Sequence, residues 1–307
     1  MSYFNEKLGR ILSPIILNGN TDIHYRDPAA IYHDGALHLF FTVNIPRNDS
    51  KSMVSFIGTT KSLDLVTWTP VRLLTTEDPS FNFSSPGNII RYRDEWIMCL
   101  CSYPIPTLDG YIADDSARAF IMRSKNLETW SAPEVIKLKG PDVEISDMGR
   151  IIDPYIFEDK DEPGKWWCSY KQNGASFSYS YDLDKWTYKG RKEAGENICI
   201  LVKDNEYHMF HCPGADGMGL MRSPNLKDWL DVVDENIMLG YRVWPWAAAR
   251  LTAACVLDLR SEREIGKYLM FFHGTRSADP HEHIGECSLG LAWSDDLVDW
   301  DWPDKNC

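Results

Sequence analysis

The sequence is short of positive charge, of long apolar runs and of paired cysteines. Nowhere do 18 apolar residues follow one another, so no membrane-spanning helix is expected. The opening residues, Met1-Ser2-Tyr3-Phe4-Asn5-Glu6-Lys7, lack the basic-then-apolar pattern of an export signal, and a cytoplasmic location is the expectation. Lys and Arg number 32 against 45 Asp and Glu, and the resulting charge of −13 repels phosphate backbones and anionic lipid surfaces. Nucleic acid and membranes are therefore not expected partners. The eight cysteines form no Cys-x-x-Cys pair and several sit inside apolar runs, which reads as reduced core thiols and neither a zinc site nor a disulfide frame. No long amphipathic helical pattern is present.

What is present is a repeat. Ser-x-(Asp/Asn)-Leu-x-x-Trp occurs five times, at Ser62–Trp68, Ser124–Trp130, Ser180–Trp186, Ser223–Trp229 and Ser294–Trp300. The tryptophans are 62, 56, 43 and 71 residues apart, spacings that suit a four-stranded unit with loops of variable length. Upstream of each copy lie an apolar strand, a turn and an aromatic-rich strand, as in Ala30-Ile31-Tyr32-His33-Asp34-Gly35-Ala36-Leu37-His38-Leu39, where Asp-Gly signals a hairpin. The expectation is an all-β, single-domain, five-bladed β-propeller over 1–307, with blades at about 22–70, 80–133, 148–189, 194–231 and 241–302. Residues 10–18 are expected to close the ring against blade five. Within the motif, Ser and Asp/Asn suit a turn that bonds its own backbone, while Leu and Trp pack between blades.

Where the blades differ, function is expected. Their innermost strands open on Arg26-Asp27-Pro28, Ser85-Pro86, Ile152-Asp153-Pro154 and Gly195-Glu196-Asn197, so three of four apparently equivalent positions are acidic. In a propeller these starts face the central channel, where crowded carboxylates raise one another's pKa. Aromatic residues are plentiful, 12 Trp and 14 Tyr, and offer flat faces to a neutral ligand such as a sugar.

Five blades with acids opening blades one, three and four resemble glycoside hydrolase family 43 and its relatives among the five-bladed glycosidases, over nearly the whole chain. The resemblance implies Asp27 as general base, Asp153 as the group that tunes pKa and orients substrate, and Glu196 as general acid; Glu193, three residues earlier, is the second candidate for the acid. It implies cleavage of arabinofuranosyl, xylosyl or related bonds in a small oligosaccharide or glycoside by inverting single displacement. The carboxyls of such a pair stand roughly 6.5 to 9.5 Å apart. Asp153, if ionised, would raise the pKa of Glu196. Phe271-Phe272-His273-Gly274 resembles the family's channel histidine, so His273 is a candidate for water-mediated contact with a structural calcium in the channel, although no cofactor is required for the reaction. Phe83, Ser85, Trp244, Trp246 and Arg250, with His273 again, are candidate substrate contacts from the Phe81–Ser85, Tyr103–Pro106 and Tyr241–Trp246 stretches and from blade five. Alternatives are a non-catalytic carbohydrate-binding propeller, a family 32 enzyme, or a family 117 enzyme with a histidine acid, for which His208 and His211 stand available.

Overall fold

The computed structural model describes residues 7–47, 53–78, 80–103, the backbone of 104, 115–276, 286–303 and 305. It is a five-bladed β-propeller of five antiparallel sheets. Blade one runs from channel to rim as His24–His33, Ala36–Pro46, Met53–Ser62 and Arg72–Leu73; blade two as Phe81–Tyr92, Glu95–Pro104, Arg118–Ser124 and Glu134–Val135. Blade three comprises Ile152–Glu158, Trp166–Lys171, Ala175–Ser180 and Thr187–Lys192; blade four, Glu196–Lys203, Glu206–Cys212, Gly219–Ser223 and Leu230–Asp231. Blade five has Arg250–Leu259, Lys267–Thr275 and Ser288–Ser294, and its outer edge is shared by two short strands from opposite ends of the chain. Ile15–Leu17 pairs with Leu289 and Gly290, and Trp300–Asp301 with Trp293 and Ser294. The amino-terminal strand thus closes the ring and covers an edge that would otherwise expose unpaired backbone groups. Asp34 and Gly35 both have positive φ, 49° and 74°, the geometry a two-residue hairpin requires.

The repeated motif forms the same turn in every blade. In blade three, Ser180 Oγ accepts the N–H of Leu183 at 3.0 Å, while Asp182 Oδ1 accepts those of Asp184 and Lys185 at 3.0 and 2.8 Å. Equivalent serine-to-leucine bonds recur in blades one, two and five, and the central leucine lies in the left-handed region in all five copies: Leu65, Leu127, Leu183, Leu226 and Leu297 have φ from 61° to 81°. That conformation costs a non-glycine residue about 1–2 kcal/mol, which the side-chain bonds to backbone offset. In blades two to five the tryptophan Nε1 then donates to the leucine carbonyl, as from Trp186 to Leu183 at 3.2 Å. Its ring packs across to the preceding blade where Trp130 meets Phe40, Trp229 meets Phe177 and Trp300 meets Phe210. The seven cysteines among the described residues are all buried thiols, so they serve as small core side chains.

Candidate active site

The channel mouth is built by a bulge repeated in each innermost strand. Register with the second strand shifts between Arg26 and Ala29, Ser84 and Asn88, Ile152 and Tyr155, Glu196 and Cys199, and Thr252 and Cys255. Inside each shift one residue has positive φ: Asp27, Ser85, Asp153, Asn197 and Ala253. In three blades the next residue is proline (Pro28, Pro86, Pro154), which has no N–H to leave unpaired at a break in the ladder. Asp27 and Asp153 hold strained backbone positions that turn their side chains out of the ladder. Glu196 is not the structural counterpart of these two acids, contrary to the sequence alignment. Asn197 occupies that place, and Glu196 precedes the bulge, as Arg26, Ser84, Ile152 and Thr252 do in the other blades.

The bulge residues also tie neighbouring blades together. The N–H of Ser85 donates to Thr42 Oγ1 of blade one at 2.8 Å, that of Ala253 to Cys212 Sγ of blade four at 3.0 Å, and that of Asp27 to His273 Nδ1 of blade five at 3.1 Å. The ring of strand starts is thereby fixed by side chains from the second strand of the blade before.

One cavity of about 160 Å³ at this mouth is lined by Asp27, Asp153 and Glu196, together with Ser85, Tyr103, Asn197 and three arginines, Arg26, Arg150 and Arg250. Beneath it, a space of about 20 Å³ against Asp27, Ser85, Asp153 and Asn197 has room for a single water. Wider grooves of about 1280 and 730 Å³ open on the outer rim, but their acids are committed to turns and ion pairs. There Asp64 caps Val66 and Thr67, and Glu128 pairs with Lys61 and Arg72.

Within the mouth cavity the three carboxyls have different environments. Asp27 is nearly buried; its Oδ2 accepts from Thr42 Oγ1 at 3.1 Å and Ser85 Oγ at 3.3 Å. Asp153 is also buried and bonds the same Ser85 hydroxyl, and burial followed by the charges of Glu196 and Asp27 pushes its pKa up to about 7. The Ser85 hydroxyl and the Arg150 charge oppose this rise, and burial with the two neighbouring carboxylates outweighs them. Glu196 is more exposed, and its Oε1 accepts from Arg250 Nη2 at 2.8 Å. Burial and the neighbouring charges thus favour the protonated form of Asp153. Glu193 pairs with Arg191 on the surface, 78% exposed, and does not line the cavity.

His273 lies behind Asp27, wholly buried. Burial, with the nearby Arg26 and Arg250 charges, pushes its pKa well below the ordinary value and keeps the ring neutral. Its Nδ1 accepts the Asp27 N–H, which assigns the proton to Nε2, facing Thr252 Oγ1 at 3.2 Å. Both nitrogens are therefore occupied, and His273 does not line the mouth cavity. Among the described residues no group of three His, Cys, Asp or Glu is placed to hold a metal.

Of the remaining candidate contacts, Ser85 and Arg250 line the cavity and Phe83, Trp244 and Trp246 do not. Phe83 packs edge-on to Phe120 in the core of blade two. Trp244 and Trp246 stack on each other and on Phe272, and Trp302 meets Trp244 edge-on. Apolar burial claims these rings because strand ends abut the neighbouring blade's core. His208 and His211 are buried outside the cavity lining, His211 accepting the Gly195 N–H at its Nδ1. Ile105 and Pro106 lie outside the described residues. Arg26 and Arg150 escaped the sequence reading, although each stands within three residues of a channel-facing aspartate.

No protein-family model and no curated protein matches the sequence. Solved structures do share the fold. A family 117 glycoside hydrolase of the marine bacterium Zobellia galactanivorans superposes with a TM-score of 0.66 at 15% identity, over 92% of this chain and 87% of that one. A family 43 β-xylosidase/α-arabinofuranosidase from a compost microbial metagenome, solved with xylotriose in calcium-free form, gives 0.62 at 13% identity over 94% and 97%. An exo-1,5-α-L-arabinanase from a bovine ruminal metagenomic library gives 0.58 at 17% identity over 89% and 93%. The chain has the five-bladed architecture of these glycosidases; at such identities the likeness is one of fold.

Proposed function

We propose that the protein is a glycoside hydrolase whose reaction takes place in the mouth cavity. The observation that carries this reading is the convergence of Asp27, Asp153 and Glu196, from three separate blades, on a cavity the size of a single sugar unit. The shared fold with glycosidases of families 43 and 117 supports it.

On this reading Asp27 accepts a proton from a water whose oxygen bonds the anomeric carbon, and Glu196 gives a proton to the glycosidic oxygen as the carbon–oxygen bond breaks. One water is consumed and the anomeric configuration inverts. Asp153 is the proton reservoir: when a substrate draws Arg250 away from Glu196, the proton held on Asp153 moves to Glu196, since two coupled carboxyls in a dry site share one proton. Ser85 and Thr42 hold Asp27 in place, and His273 fixes its backbone. Arabinofuranosides and xylosides, as for the named relatives, are the first substrates to try.

The test is a panel of aryl furanosides and pyranosides with product configuration followed by proton NMR. Turnover with inversion is expected, falling by about 10²–10⁴ in Asp27→Asn and Glu196→Gln. Turnover that survives both substitutions, or none on any glycoside, would overturn the reading.

A further inference from the structure

The mouth cavity holds more cationic groups than its carboxylates use. Arg250 is paired with Glu196, yet its Nε–H is buried without an acceptor. Arg150 lines the same cavity and, among the described residues, its guanidinium forms neither a hydrogen bond nor a direct ion pair; it acts on Asp153 only through longer-range charge. Neutralising the catalytic acids therefore does not account for Arg150. Nor does the protein's overall balance, which at −13 is strongly acidic and would not by itself gather cations at one point. A neutral pentose or hexose offers hydroxyls that donors of any kind can meet. A planar guanidinium left unpaired in the same cavity as a second one with an unmet N–H matches an oxyanion, whose oxygens accept several charge-assisted bonds at once.

We propose that the sugar recognised at this mouth carries an anionic group, a carboxylate or a sulfate, held between Arg150 and Arg250. The inference rests on the reading of the cavity as a sugar site and narrows its substrate class. It also supplies the event that frees Glu196: the anionic group competes with Glu196 for Arg250, so the group that confers recognition is the one that releases the acid.

The experiment is calorimetric binding to the full chain, which does not depend on turnover. The ligands are glucuronate and galacturonate in one arm, glucose 6-sulfate and galactose 6-sulfate in a second, and glucose and galactose as neutral counterparts. At least one anionic sugar is expected to bind about 10- to 100-fold more tightly than its neutral counterpart, the range of a charge-assisted hydrogen bond, and to weaken as salt is raised. The arm that wins identifies carboxylate or sulfate. Arg150→Gln, checked for an unchanged melting temperature, should reduce that ratio toward one. Equal or weaker binding of every anionic sugar relative to its neutral counterpart overturns the proposal, as does a ratio unchanged in Arg150→Gln. Cleavage of neutral aryl glycosides alongside such a result would leave the hydrolase reading standing and remove only this one. A preference for anionic sugars without cleavage of any matching aryl glycoside would do the reverse.

Discussion

The rim of the ring and its central mouth repeat in different ways. At the rim both backbone and side chains recur: five Ser/Asp-or-Asn/Leu/Trp turns, with the leucine left-handed each time. At the mouth the backbone recurs, with a bulge and a positive φ in every blade, but the side chains are Asp, Ser, Asp, Asn and Ala. Residues common to all blades serve what all blades need, which is packing against the next blade. A shared backbone device that carries unlike side chains positions a site. On this comparison, damage at the rim is felt in stability, and damage at the mouth in binding and chemistry.

The largest expected stability effect is therefore at the rim. Trp186 is 1% exposed and seals the turn of blade three, so Trp186→Ala should lower unfolding free energy by about 3–5 kcal/mol. Chemical denaturation measures this, and a loss below about 1 kcal/mol would break the assignment of the motif to packing.

A mouth substitution sharpens the contrast through its pH dependence. The folded pKa of Asp153 lies above its ordinary 3.8, at about 7, so the folded state binds this proton more tightly than the unfolded chain. That contribution is fully present below the ordinary value and is lost as pH rises through 7. Asp153→Asn cannot ionise. Its melting temperature relative to wild type should therefore improve between pH 5 and pH 8, while a pH-independent difference would contradict the buried proton.

The smallest effect belongs to the turn caps. Asp182→Ala removes the acceptor for the N–H groups of Asp184 and Lys185 and should cost about 1 kcal/mol, readable as a small shift of the same denaturation curve. A cost equal to that of Trp186→Ala would mean that the left-handed leucine, more than the tryptophan's burial, sustains the rim.

The rim was legible in the sequence because its physics is local. Ser180 and Asp182 bond backbone within three residues, so the turn writes itself as a fixed spacing. The ring closure by 15–17 was legible for a similar reason, an apolar strand with no partner nearby in sequence. The mouth was legible only in part. Asp27 and Asp153 are marked by the following proline, whereas the bulge of blade four carries Asn197-Ile198 and gave no mark, so Glu196 was aligned one position out of register. A one-residue slip is invisible to spacing arguments when loops vary in length. Phe83, Trp244 and Trp246 are candidate substrate contacts in the sequence because aromatic residues near strand ends look alike whether they face a ligand or a neighbouring blade; in the structure Phe83 packs on Phe120 and the two tryptophans on Phe272. The proton on Asp153 depends on burial and on charges 43 and more residues away, which no local pattern reports.

The central claim is that carboxyls from separate blades form one coupled unit, and carbon-13 NMR titration of the Asp153 carboxyl tests it most directly. The account predicts a midpoint near 7 in the wild type that falls in Glu196→Gln but stays above the ordinary aspartate value, since burial remains when the neighbouring charge is gone. An identical midpoint in the two proteins would show that Asp153 and Glu196 do not sense each other, and the account would fail.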